Sequence, residues 1–212
     1  MARGAEPPRP VRILIYIPII HGQADMGALG ESVRQVKVRK LGRRGWEQNL
    51  NLIGRMWTEI EQALERWTVS CERVRVYQDG LPDCGRELEI VTELAKAGSR
   101  NHQLLLRLKE KGATIMGTES SELLVEEYQL VKQALASRDP LQGARMEASQ
   151  KALSVSLLKR RDQYIADRIN RTLYPGETGI LFLGMLHAVA HLLPRDIHVI
   201  YPIHRPLAEE AK

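Results

Sequence analysis

The stretch TGILFLGMLH, residues 178–187, decides the fold: an uninterrupted apolar run that stops at a glycine and delivers a histidine three residues later. An apolar run of this length, without polar alternation, fits a strand buried on both faces, as parallel sheets require. The stretch ILIYIPIIHG, residues 13–22, is built the same way and ends at His21. Two such strands, one near each end of the chain, imply a sheet that the intervening segments must cover.

Those segments alternate in character. RVRVYQD (73–79), ATIMGTES (113–120) and DIHVIYPI (196–203) read as further strands. Between them, Trp46, Leu50, Ile53, Trp57, Ile60, Leu64 and Trp67 recur at helical spacing over 46–67. Residues 85–98 and 101–112 read as helices closed by glycine, and 121–136 as a helix capped by Ser120 or Ser121. RDPLQG (138–143) interrupts the chain, and a long helix over about 142–173 stops at Pro175-Gly176. The segment 26–45 is expected to be a loop or short hairpin. Strands alternating with helices predict an α/β fold: a mainly parallel sheet of about five strands with helices on both faces, in three layers. Strands one, three and four are expected near the sheet centre. A tail over 1–10, one domain over 11–207 and a short tail over 208–212 complete the organisation.

Composition bounds the function. The 212 residues are 43% hydrophobic and only 5% aromatic, with one Phe, so the core must be aliphatic. Cys71 and Cys84 form no C-x-x-C pair and no zinc spacing, which suits free thiols in a reducing compartment. No apolar run reaches the roughly 20 residues of a membrane helix. The basic-then-apolar start lacks a cleavage site and contains Pro18, so a first core strand explains it better than a signal peptide. A cytoplasmic protein is expected. A net charge of +5 permits contact with nucleic acid or anionic ligands without demanding it.

In parallel α/β sheets, ligands bind outside the carboxyl ends of the strands. Here the five strands are followed by His21 with Asp25, by Asp79 with Asp83, by Glu119, by His187 and by His204. All are titratable or metal-capable, which points to a shared site. Arg161 precedes Ile165 by one helical repeat and so falls on the inward face of the long helix. A buried guanidinium needs an anionic partner, and Glu119 or a ligand anion is expected. His187 and His191 stand four apart, but Ala188 replaces the glutamate of a zincin helix, and His191 is expected at the surface. His102 carries no signal of its own, and His198 can face either side of its strand. In the basic segment Arg34, Lys37, Arg39, Lys40, Arg43 and Arg44 form either a lid over an anionic substrate or a solvated surface, with Arg43 and Arg44 as candidate substrate contacts.

Taken in order, four motifs resemble the erythromycin esterase-like/TraB-like superfamily, which includes the TIKI proteases and ChaN-like haem-binding proteins. The late G-x-x-H is Gly184-Met185-Leu186-His187. The central strand motif is IMGTES, giving Glu119, and the helix motif is RRDQYIADRI, giving Arg161 and Asp162. The first motif, IPIIHGQADMG, keeps His21 but has Pro18 where the family has glycine. Two histidines and a carboxylate suit a divalent metal (Mn, Co or Zn), so His21, His187 and Glu119 are expected ligands, with Asp79 and Asp25 as second-rank candidates, either as ligand or as the acceptor that fixes a histidine tautomer. The resemblance implies hydrolysis of a peptide or small-molecule ester; in a metal-assisted mechanism Glu119 is expected as ligand or base and Arg161 as the group that steadies developing negative charge. No nucleotide cofactor is indicated. Two other readings stand beside this one: a non-catalytic module for a metal, haem or other ligand, and a nucleic-acid partner using the basic segment. Self-association remains open in all three.

Overall fold

The computed structural model describes residues 11–66, 71–136 and 143–202. Trp67, His204 and the ends of the expected 196–203 strand and 138–143 break lie outside these residues. The sheet has five strands, all paired in parallel: β1 (Arg12–Ile19), β2 (Val74–Gln78), β3 (Thr114–Met116), β4 (Thr178–Gly184) and β5 (Ile197–Ile200). Their order is β3-β2-β4-β1-β5. Five helices are described: α1 (Gly30–Glu65), α2 (Glu87–Lys96), α3 (Arg100–Glu110), α4 (Ser121–Ala136) and α5 (Gly143–Thr172). Among the described residues no helix is long and apolar enough to cross a membrane.

Strand alternation sorts the core into two layers. On one face Ile15, Ile17, Val76, Ile180 and Phe182 pack against Ile53, Trp57 and Ile60 of α1, Val91 of α2, and Leu104 and Leu105 of α3. On the other, Leu14, Tyr16, Tyr77, Leu181 and Leu183 meet Ile165, Ala166 and Ile169 of α5. The fold is therefore the three-layer α/β/α arrangement expected. β4 sits in the middle, paired to β1 and β2 along nearly its whole length, as its apolar run requires.

Two expectations are corrected. The strand carrying Glu119 is not central. β3 is three residues long, lies at the sheet edge and has Thr114 exposed, with Ile115 and Met116 half-buried. Its apolar run is too short to need cover on both sides. The segment 26–45 is not a loop or hairpin: a short 3-10 stretch over Gln23–Leu29 leads into α1. The GRRG glycines suggest a turn, but only Gly42 departs from helical backbone (φ 72, ψ 167), as a kink inside α1.

Pro18 lies well inside β1, where proline normally breaks a ladder. Here it costs no ladder bond. The Ile13 N–H points to the β4 side, at the Glu177 carbonyl, and the Arg12 N–H to the β5 side, at the Asp196 carbonyl. Even-numbered residues of β1 therefore face β5, whose pairing ends at Ile15 opposite Ile200. Pro18 thus lies beyond the last β1 residue paired to β5, and no bond of that ladder is lost.

Topology places the site. After β1 the chain leaves over the α1 face. After β4 it leaves over the α5 face, where Val189 joins the second core layer. Adjacent strands whose continuations part to opposite faces open a crevice at their carboxyl ends. His21 follows β1 and His187 follows β4, so the two imidazoles flank that crevice. Because Phe182 is fully buried and joins both neighbouring strands to the α1 layer, Phe182→Ala should cost about 3–5 kcal/mol. Urea unfolding should show a lower midpoint at an unchanged slope.

Candidate functional site

The centre of the cluster is Asp79, one residue beyond β2 and nearly buried. Its Oδ2 accepts the Gly184 N–H (2.8 Å) and His21 Nε2–H (3.0 Å); its Oδ1 accepts Arg161 Nη2–H (3.0 Å). His187 Nε2 stands 3.7 Å from Oδ1. The glycine of the late motif now has a physical reason: a Cβ at position 184 would lie 2.8 Å from Asp79 Oδ2. Any side chain there would push the carboxylate off the backbone N–H that holds it.

Arg161 is buried at 5% exposure. It donates from Nε to Glu119 Oε2 (2.6 Å) and from Nη2 to Glu119 Oε1 (2.7 Å) as well as to Asp79, while Nη1 donates to Glu127 of α4. The expected pairing with Glu119 is thus present in bidentate form. Glu119, fully buried, also accepts the Gly80 N–H (2.7 Å). Successive residues of α5 point about 100° apart, so Asp162 turns from Arg161 towards β4. Its Oδ1 accepts His187 Nδ1–H (2.5 Å) and its Oδ2 the Ala188 N–H (3.1 Å). An acceptor-only carboxylate on Nδ1 fixes the ring and directs Nε2 at Asp79.

The charges follow from this packing. Burial alone would raise Asp79, but His21, His187 and Arg161 hold it well below the usual carboxylate range. Burial drives Glu119 upward, with Arg161 opposing and the Asp79 charge adding to the rise. Both imidazoles are raised: burial works against the charged form, but Asp79 outweighs it at His21, and Asp162 with Asp79 outweighs it at His187.

The structure brings His21, Asp79, Glu119, Arg161 and His187 together at one sheet edge. Arg43 and Arg44 do not join them. Both are exposed, just beyond the Gly42 kink. A narrow cleft beside His21 is lined instead by Arg34 and Lys37 of the same basic segment, because helical geometry, not a loop, presents them. Asp83 gives its carboxylate to Arg168 (2.7 Å) and only its backbone N–H to the Glu119 carbonyl (2.8 Å); His191 and His198 are exposed.

Sequence reasoning missed Glu127 as a partner of Arg161; no motif marks it. It also missed a second cluster. Asp25 Oδ2 accepts the Gly22 N–H (2.6 Å), and its Oδ1 accepts the Ser99 hydroxyl. Ser99 in turn caps α3, accepting from the His102 N–H (3.2 Å) and from His102 Nδ1–H (2.6 Å). His102, expected to carry no signal, is buried at 4% exposure. The Ser-x-x-His spacing across a helix start was the available clue. This cluster fixes the backbone immediately after His21.

Two imidazoles and two carboxylates are a reasonable donor set for a borderline divalent cation. As arranged, they do not fit one. Glu119 spends both oxygens on Arg161, and the guanidinium stands between Glu119 and Asp79, where a cation would sit. Among the described residues no three His, Cys, Asp or Glu side chains form a group that could hold a metal ion. Comparison with protein-family models, with curated proteins and with solved structures finds no match for this chain.

Two outcomes are expected. Arg161→Ala leaves two buried carboxylates without their cation and should cost about 3–5 kcal/mol in denaturant unfolding. The raised imidazoles stabilise the fold through their charged forms. That contribution is complete below the ordinary imidazole value of about 6.5 and is lost as pH rises through the higher folded values. Thermal melts should therefore fall as pH rises above about 6.5, and His187→Asn should flatten that decline.

Proposed function

We propose that the protein is a hydrolase of ester or amide bonds in which His21 is the general base and Asp79 its orienting carboxylate. One observation carries this reading. Of the side chains that meet Asp79, that of His21 alone is open to solvent, 32% exposed, while Asp79, His187 and Arg161 are at 5% or less. With Nε2–H donated to Asp79, the neutral ring presents Nδ1, for which no hydrogen-bond partner is found among the described residues. A half-exposed imidazole with one nitrogen fixed by a buried carboxylate is the base–orienter pair of hydrolytic sites. The similarity of the four motifs to the erythromycin esterase-like/TraB-like superfamily supports the same class of reaction.

In this reading His21 Nδ1 takes a proton from water as the water oxygen bonds to the substrate carbonyl carbon. The tetrahedral intermediate then breaks its bond to the leaving group, which receives that proton from the imidazolium. Asp79 stabilises the imidazolium formed between the two events. Arg161 touches no substrate; it acts through Asp79, keeping that carboxylate ionised and in place. His187 and Asp162 close the far side of Asp79. No step is routed through a metal, because the donors that would hold one are bonded to each other.

A second reading has its own support. Every member of the cluster except His21 is internally satisfied, as in a polar network that only stabilises a ligand-binding module. Hydrolysis separates the two. On a panel of activated esters and peptide amides, His21→Asn should lower kcat/KM by about 10²–10⁴ while circular dichroism stays native. Activity should rise with pH to an apparent pKa above about 6.5, as the raised imidazole loses its proton, and should survive dialysis against EDTA. Loss of activity on dialysis, restored by Mn, Co or Zn, would return the site to metal chemistry. Equal rates in wild type and His21→Asn would remove His21 as the base.

A further inference from the structure

The cleft beside His21 has two walls, both from α1. Val33 and Lys37 come from the arm before the Gly42 kink; Trp46, Leu50 and Ile53 come from the arm after it. The kink folds these arms so that Lys37 Nζ lies 5.9 Å from the centre of the Trp46 ring. Trp46 and Ile53 are almost fully buried, whereas Leu50 is 42% exposed. The cleft thus joins a solvent-open imidazole, an apolar and aromatic wall, and a cationic tip.

The two cations of the cleft are not equivalent. Arg34 is already matched by Glu31 in a bidentate pair (2.7 and 2.8 Å). Lys37 has no carboxylate within ion-pair reach among the described residues, and only the Trp46 ring as a partner. An ammonium beside an aromatic face, on a half-buried lysine with no carboxylate in reach among the described residues, is a ready anchor for an anion. Gly42 sets the angle at which the two arms of α1 meet. Its φ of 72 is a value glycine takes without strain, and nothing lies within 4 Å of where a Cβ would stand. The enclosed part of the cleft, about 10 Å³, has room for little more than one water, so an anion held by Lys37 lies across its mouth, over the exposed Leu50.

We infer that the mouth of this cleft is the recognition site for an anionic substrate, in which Lys37 binds a carboxylate or phosphate group and the exposed Leu50, beside Trp46, meets the adjoining aromatic or apolar body. This rests on the hydrolase reading of His21 and narrows its substrate class to esters or amides that carry an oxyanion. It also moves the anion contact from Arg43 and Arg44 to Lys37.

Binding tests this without relying on turnover. Benzoate, phenyl phosphate and benzyl alcohol would be titrated into the full chain by calorimetry, following tryptophan fluorescence in parallel. Both anions should bind at least about tenfold more tightly than the neutral alcohol, as expected of a charge-assisted contact. The ratio of benzoate to phenyl phosphate affinity then tells which oxyanion the site prefers. Lys37→Met should remove the preference for anions and leave benzyl alcohol unchanged. Lys37→Arg should retain it, and the Arg43→Ala/Arg44→Ala double variant should retain it in full. His21→Asn should still bind, which separates recognition from chemistry. Anion binding through Lys37 without hydrolysis of any ester would uphold the cleft and defeat the hydrolase reading. Hydrolysis of neutral and anionic esters alike, with Lys37→Met indistinguishable from wild type, would defeat the cleft and leave the base in place. An anion preference abolished by the Arg43/Arg44 variant would also overturn it.

Discussion

The buried ion cluster around Arg161 is the constraint on which the site end of the molecule depends. A guanidinium inside an aliphatic core is tolerated only where carboxylates meet its donors. Here Asp79, Glu119 and Glu127 do so from three separate elements: the end of β2, the loop after β3, and α4. Arg161 therefore clips the α5 layer to the sheet at the edge where apolar strands run out. The order of strength among the acids comes from burial, which raises both, and from the imidazoles of His21 and His187, which lower Asp79 alone. The carboxylate that serves the imidazoles stays ionised, while its neighbour Glu119 is driven upward by burial.

Backbone geometry does the rest of the positioning. The Gly184 N–H and the Gly80 N–H hold Asp79 and Glu119 respectively, so each acid is tied to a strand end as well as to Arg161. The 22–25 turn is tied in the same way by Asp25, Ser99 and His102. His21 lies between two such fixed points. An imidazole held in this manner loses little freedom when it accepts a proton.

How much of this was legible depended on what each residue's role leaves in the sequence. β1 and β4 announce themselves because burial on both faces forbids polar alternation, and α5 shows an inward arginine because Ile165 and Ile169 fix its face. The pairing of Arg161 with Glu119 followed from charge neutrality in a core. The position of β3 did not follow: three residues beside one neighbour carry too little pattern to tell edge from centre. Nor did the helical state of 30–41. Its glycines and cations read as a loop, and only packing of Val33 and Lys37 against the Trp46 arm makes the helix worthwhile. Glu127 and His102 were invisible for a different reason. Each is fixed by a contact between elements distant in sequence, and such contacts leave no local trace.

The strand order has a consequence for how the chain reaches this state. β1 and β2 do not touch; each is completed only by β4, which pairs Ile13 with Thr178 and Val74 with the same residue. The middle of the sheet is thus supplied by a segment that leaves the ribosome after both of the strands it joins. Until it arrives, β1 and β2 expose unpaired edges and the apolar faces that will become the core. Pairings this far apart in sequence close slowly and leave such edges open to other chains. Yield of folded protein should therefore be governed less by final stability than by what shields these two edges while synthesis continues.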